Sequence, residues 1–172
     1  MDSIPSRSYI PLMAQASKDL EKAAERRASA AYEADVVAWA REQARLLRAG
    51  RFDLLDAQHI ADEIEDVGKS EQRELAIRMA VLLAHLLKWR FQPERRTRSW
   101  ELTIKDQRAA IERRLRRTPS LKESLRDPDW QADAWSDALS LAEKQTSLER
   151  AQFPSTCSWP MAEVLSEGWL PE

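Results

Sequence analysis

Apolar side chains recur along this chain at intervals of three and four and nowhere alternate strictly between turn residues, so the pattern predicts helices and no strands. Val36, Trp39, Ala40, Gln43, Leu46 and Leu47 form one inward stripe, with Asp35 placed as N-cap and Gly50 as the stop after about Ala49. A short connection, Arg51 to Leu55, reverses the chain. Asp56 then caps a second helix whose apolar positions are Ala57, Ile60, Ile64 and Val67, with Gly68 as its end and Ser70 as the start of the next. From Leu75 to Trp89 only Arg78, His85 and Lys88 are polar. A helix apolar on nearly every side is a buried one, which makes the segment of about Glu71 to Phe91 the predicted centre of the fold.

Pro93 stops that helix, and Ser99 is the expected cap of a fourth with Trp100, Ile104, Ile111 and Leu115 on one stripe, ended by Thr118-Pro119. Beyond a short element at Ser120 to Leu125, Asp127-Pro128 opens a fifth helix with Trp130, Ala134, Trp135, Ala138, Leu141 and Ala142 inward. Pro154 breaks the chain, and Ser158 with Pro160 begins a last short helix through Met161, Val164 and Leu165, ended near Gly168. The expected fold class is all-α, a compact multi-helix bundle around the buried central helix. Residues 1–31, with a Pro-containing start and a marginal Ala/Glu/Lys/Arg helix from Lys18, are expected to be an appendage, and residues 32–172 the helical domain.

Length adds that 172 residues suffice for a core without a staple. The single Cys157 forms no intrachain disulfide, and no run of about 18 apolar residues or leader pattern is present, so the expectation is a protein of a reducing cytoplasm with no membrane partner. A net charge of −2 names no partner, but its distribution is uneven. Asp53 to Asp66 holds six acidic residues and no Lys or Arg, whereas Lys88 to Arg117 holds eleven basic residues against four acidic ones. These blocks are expected to pair within the fold or to lie solvated.

Three groups of residues bear on chemistry. His59, Asp62, Glu63 and Asp66 share one helix face, and His59 and Glu63 with His85 from a following antiparallel helix would suit Zn, Mn or Fe. Carboxylates from further helices, which bundle metal sites use, are missing, so no cofactor is expected and the metal-dependent enzyme stands as an alternative. Arg78 and His85 lie one above the other on the central helix and need a carboxylate partner, for which Glu63 and Asp66 across a turn at Gly68 are the nearest candidates. That structural network is preferred over acid–base use of His85 with Glu63 or Glu65, because no nucleophile or oxyanion hole accompanies the pair. Finally, Lys88 to Trp100 interleaves aromatic rings with Arg95, Arg96 and Arg98, a combination that grips phosphates and stacks on bases. Trp89 and Trp100 fall on apolar stripes, however, which favours a core role and leaves nucleic acid as the alternative partner. Cys157 reads as a small buried apolar residue.

The order of several short motifs resembles a known family. Trp39-Ala-Arg-Glu-Gln, Leu46-Leu-Arg-Ala-Gly-Arg, Glu63-Ile-Glu-Asp-Val-Gly, Leu83-Ala-His-Leu-Leu-Lys-Trp89 and Gln92-Pro-Glu-Arg-Arg are followed by Ser99-Trp100, Ile104, Gln107-Arg108, Pro119-Ser-Leu121 and Phe153-Pro-Ser-Thr-Cys157. This succession, over about Tyr32 to Pro171, is similar to the family called domain of unknown function 29, with a departure at Ser158-Trp-Pro. The resemblance implies an all-helical bacterial protein and carries no activity that could be transferred. The residues themselves leave, as the expected function, a non-catalytic helical binding or interaction module that pairs with itself or with a protein partner.

Overall fold

The computed structural model describes residues 30–172, and among them every regular element is helical. The elements are α1 (Val36–Arg48), α2 (Ala57–Phe91), α3 (Arg98–Arg117), α4 (Pro128–Gln145) and the one-turn α5 (Met161–Val164), joined by loops and single 3-10 turns. Most of the expected marginal helix from Lys18 lies outside the described residues; residues 30–34 are helical. The chain divides into two compact units, residues 1–67 and 68–172.

In the described part of the first unit, Asp35 leaves the helical region (φ −159°, ψ 93°) and its carboxylate accepts from the N–H groups of Val37 and Ala38 at 3.0 and 2.9 Å. Two of the four orphan donors of α1 are thereby satisfied. Trp39, Gln43 and Leu46 are buried, and α1 ends at Gly50, whose φ of 68° is the left-handed stop its sequence position predicted. Val36, Ala40 and Leu47 belong to the predicted stripe but stand exposed. The same holds on α2: Ile64 and Val67, expected inward, are 68% and 67% exposed. The cause is the rotation of the helix. His59 and Glu63, next to that stripe on the helical wheel, are the residues turned toward Tyr32.

The main departure from expectation is at Gly68. The second and third predicted helices are one helix of 35 residues, and Gly68 sits inside it; positive φ among the glycines is confined to Gly50 and Gly168. A glycine ends a helix only by taking the left-handed conformation. Left in the helical region it costs about 1 kcal/mol relative to Ala, which the residues on either side outweigh. No Pro stands between Ala57 and Phe91 to force a break.

In the second unit, Leu75, Met79, Leu82, Leu83, Leu86 and Leu87 of α2 have almost no exposed surface, as the continuous apolar run predicted, although Ile77 remains 53% exposed. Ile104 and Ile111 of α3 and Ala134, Trp135, Ala138, Leu139 and Ala142 of α4 complete the core with Leu121, Phe153 and Val164. The alanines keep α4 narrow on its inner face, where larger side chains of α2 need room. Thr97, not Ser99, caps α3: its backbone is extended and its hydroxyl accepts from Trp100 N–H at 3.4 Å, whereas Ser99 is already helical. Asp127 caps α4 as expected, accepting from Asp129 N–H at 2.9 Å, with Pro128 in the first turn.

Replacing Gly68 by Ala should stabilise the protein by about 1 kcal/mol, or ~2–4 °C in Tm for a chain of this size, because an added Cβ meets nothing within 4 Å. The same change at Gly50, where φ is 68°, should cost about 1–2 kcal/mol. Thermal denaturation followed by circular dichroism checks both; destabilisation by Gly68→Ala would indicate a left-handed stop at that position.

Candidate functional site

The densest polar cluster of the first unit forms around Asp56, the buried residue that precedes α2. Its Oδ2 accepts from Trp39 Nε1 at 3.1 Å and pairs with His59 Nδ1 at 2.8 Å, and its Oδ1 accepts from His59 N–H at 3.4 Å. The backbone N–H of Asp56 donates to Gln43 Oε1 at 3.0 Å. One carboxylate therefore caps a helix, holds an imidazole and satisfies an indole. Tyr32 stacks on the His59 ring (centroids 4.3 Å, 27°) and meets Trp39 edge-on at 4.9 Å. Its hydroxyl donates to Glu63 Oε1 at 2.6 Å, and that bond, followed by burial and the carboxylates of Glu63, Asp66 and Asp62, raises the phenol above its ordinary pKa.

This arrangement fixes His59 with its proton on Nδ1, the way a second-row carboxylate orients a base. Among the described residues no Ser, Thr or Cys side chain is hydrogen-bonded to His59. His59 and Glu63 do come within one cluster, through Tyr32. His85, the third residue of the metal alternative, lies several turns along the same helix rather than on an antiparallel neighbour. At about 1.5 Å per residue, residues so far apart on one helix do not share an ion. Among the described residues no group of three or more His, Cys, Asp or Glu is placed to hold a metal.

The polar network expected for Arg78 and His85 is likewise arranged differently, because the turn that was to fold Glu63 and Asp66 back onto them is helix. Arg78 pairs with Glu74, one turn earlier, at 2.7 Å. Arg114 of α3 pairs with Glu71 and reaches Glu74 at 3.6 Å. His85 Nδ1 lies 2.9 Å from the Val81 carbonyl, and burial, which disfavours its charged form, pushes its pKa down. Glu74 stands one turn before Arg78, the i, i+4 spacing of a helical ion pair, and needed no tertiary information to be found; Glu71 did, because its partner Arg114 comes from α3.

In the basic segment, Arg95 and Arg98 are exposed, while Arg96 lies over the Trp89 ring (4.8 Å) and donates Nε–H to the Trp89 carbonyl at 2.9 Å. Trp100 is covered by the Lys88 ammonium at 4.5 Å. That ammonium also donates to Gln145 Oε1 at 3.0 Å, and burial lowers its pKa. The two tryptophans are thus occupied by cations of the chain itself. A second basic feature is a groove lined by Arg78, Arg113, Arg114, Arg116 and Arg117 with Glu71, in which Arg78 and Arg114 are already ion-paired. Cys157 is half-buried with its pKa raised by burial, as a structural thiol would be.

These features define an all-α fold in which the buried Asp56, Lys88 and Arg108 are hydrogen-bonded to groups distant in sequence. Residues 31–170 match the family described as domain of unknown function DUF29, and the chain belongs to it. No curated protein and no solved structure matches the chain. Among the described residues no helix is long and apolar enough to cross a membrane.

Asp56→Ala should cost about 1–3 kcal/mol, since it strands the Trp39 N–H and a helix cap. Arg78→Leu, in a pair whose side chains are about one-third exposed, should cost less than about 1 kcal/mol. Urea denaturation of the two variants orders them, and a larger loss for Arg78→Leu would refute the placement of the polar hub at Asp56.

Proposed function

We propose that the chain is a helical interaction module whose first unit is the docking element, and that the occupant of its docking face is a second copy of the chain. The observation behind this reading is the exposure of large apolar side chains in that unit: Val36, Val37, Leu47, Phe52, Leu54, Ile64 and Val67, with Phe52 at 69%. Their exposed surface is of the order of the about 800 Å² that each partner contributes to a standard interface. Scattered apolar residues on a surface need no explanation, but this density within 32 consecutive positions exceeds what a monomer ordinarily leaves in water.

Two properties favour a second copy over a foreign chain. On α2 the exposed Ala57, Ala61, Ile64 and Val67 share one side, while Asp62 and Asp66 lie on the other, so acidic repulsion is directed away from the contact. On α1 the exposed Val36, Ala40 and Leu47 are bordered by Arg41 and Arg48. With the carboxylates of α2 turned away, this apolar side can meet an identical one across a two-fold axis. Small residues at Ala57 and Ala61 also let a partner helix approach closely. The nucleic-acid reading of Arg95, Arg96 and Arg98 has weaker support, since Trp89 and Trp100 are covered by Arg96 and Lys88. A metal-dependent activity of His59, Glu63 and His85 has weaker support still, for want of a shared site.

Sedimentation velocity should show a dimer at micromolar concentration. Ile64→Lys and Phe52→Asp should convert it to a monomer of unchanged helicity, whereas Ile77→Lys, also exposed (53%) but in the second unit, should leave it dimeric. A monomeric wild type at high micromolar concentration, or a dimer indifferent to both first-unit variants, would overturn the proposal.

A further inference from the structure

α3, whose Ile104 and Ile111 reach the core, also borders a cavity. Together with the C-terminal segment after α5 it encloses about 550 Å³, within the size range of small-molecule sites. Its apolar lining comes from Ile104, Ile111 and Leu115 on α3 and from Leu165 and Leu170 opposite. Charged residues line it as well, and among them Arg108 is the buried one, only 9% exposed.

Arg108 is held in place by two carbonyls: Nε donates to Val164 O at 2.8 Å and Nη2 to Trp169 O at 2.6 Å. Those bonds orient the guanidinium and leave its charge uncompensated, since no carboxylate lies within ion-pair distance and Nη1 has no partner among the described residues. Burial pulls its pKa below the ordinary arginine value. An arginine placed only to tie down a C-terminal segment would be replaceable by a neutral donor. A full charge kept beside an apolar cavity, where burial penalises it, calls for an anion.

We propose that this cavity binds a small organic acid with an apolar tail, its carboxylate on the Arg108 guanidinium and its hydrocarbon against the accessible Leu115, Leu165 and Leu170. Lys105, also at the cavity, stands one turn before Arg108 on α3 and supplies a second cation for the head group. The carboxylates of Glu101, Glu112 and Glu167 line the same cavity and oppose this assignment. Glu101 and Glu112 are exposed and Glu112 is within 3.9 Å of Arg116, so water and the neighbouring cation screen them more than they screen the buried Arg108. All the lining residues belong to the second unit, and the test below reads ligand binding without reference to whether the chain dimerises.

The test is calorimetric titration of the full chain with three probes of equal tail length: octanoate, 1-octanol and octylammonium. Octanoate should bind saturably at one site, about tenfold or more tighter than octanol, the scale of one charge-assisted hydrogen bond, and octylammonium should bind weakest. Arg108→Met should remove the preference of octanoate over octanol. Because that change also frees the Val164 and Trp169 carbonyls, Ala109→Trp provides a second variant, in which a lining residue of α3 is enlarged to fill the cavity and abolish binding while Arg108 is untouched. Absence of saturable octanoate binding, equal affinity for octanoate and octanol, a preference for octylammonium, or undiminished binding to the Ala109→Trp protein would each overturn the proposal.

Discussion

The uninterrupted course of α2 is the constraint on which the remaining interactions depend. A 35-residue helix that begins on the Asp56 carboxylate and ends at Phe91 serves the two compact units in turn: its first turns belong to one, and the stretch from Leu75 onward is the core of the other. Because the chain does not reverse at Gly68, the acidic turns of α2 are not folded back over its own apolar half. Every ionic partnership then changes. Arg78 turns to Glu74, Glu71 is left for Arg114, and Glu63 is taken by Tyr32.

A second regularity concerns how the buried cations are handled. Lys88 is met by the Gln145 amide oxygen and the Trp100 ring, Arg108 by two backbone carbonyls, and the half-buried His85 imidazole by the Val81 carbonyl. Neutral acceptors orient a charge without cancelling it. At Lys88 the aromatic face adds attraction of the order of 1 kcal/mol, rising as water is excluded. At Arg108 no ring or acid does so, which is why the cavity beside it is the place where a ligand would add most. The Gln107 side-chain oxygen, buried without a partner, sits next to it in sequence on α3.

Much of the fold was legible in the sequence because its signals are local. Asp35, Gly50, Pro93, Thr118-Pro119 and Asp127-Pro128 act on the residues beside them, and all of them delimit helices where expected. Gly68 was misread because a glycine is an end signal only when its φ becomes positive, and sequence does not carry that angle. Ser99 lost to Thr97 for a comparable reason, since two potential caps two residues apart differ only in which one leaves the helical region. The candidate site was far less legible. Asp56 was visible as a cap, but its bonds to Trp39 and Gln43 depend on how α1 lies against the start of α2. Arg108 stood in a familiar motif with nothing to mark it as buried, because its acceptors are main-chain carbonyls some 56 and 61 positions away.

The continuity of α2 through Gly68 is the central claim, since the separation of His59 and Glu63 from His85, the pairing of Arg78 and the exposure of Ile64 and Val67 all follow from it. Backbone assignment by NMR with ¹³Cα secondary shifts measures it directly, residue by residue and independently of stability. Positive, helical shifts without interruption from Ala57 to Phe91, including Asp66 to Ser70, are the result this account requires. Shifts that fall to coil values around Gly68, with helical values resuming at Glu71, would establish two helices and a turn and would contradict it.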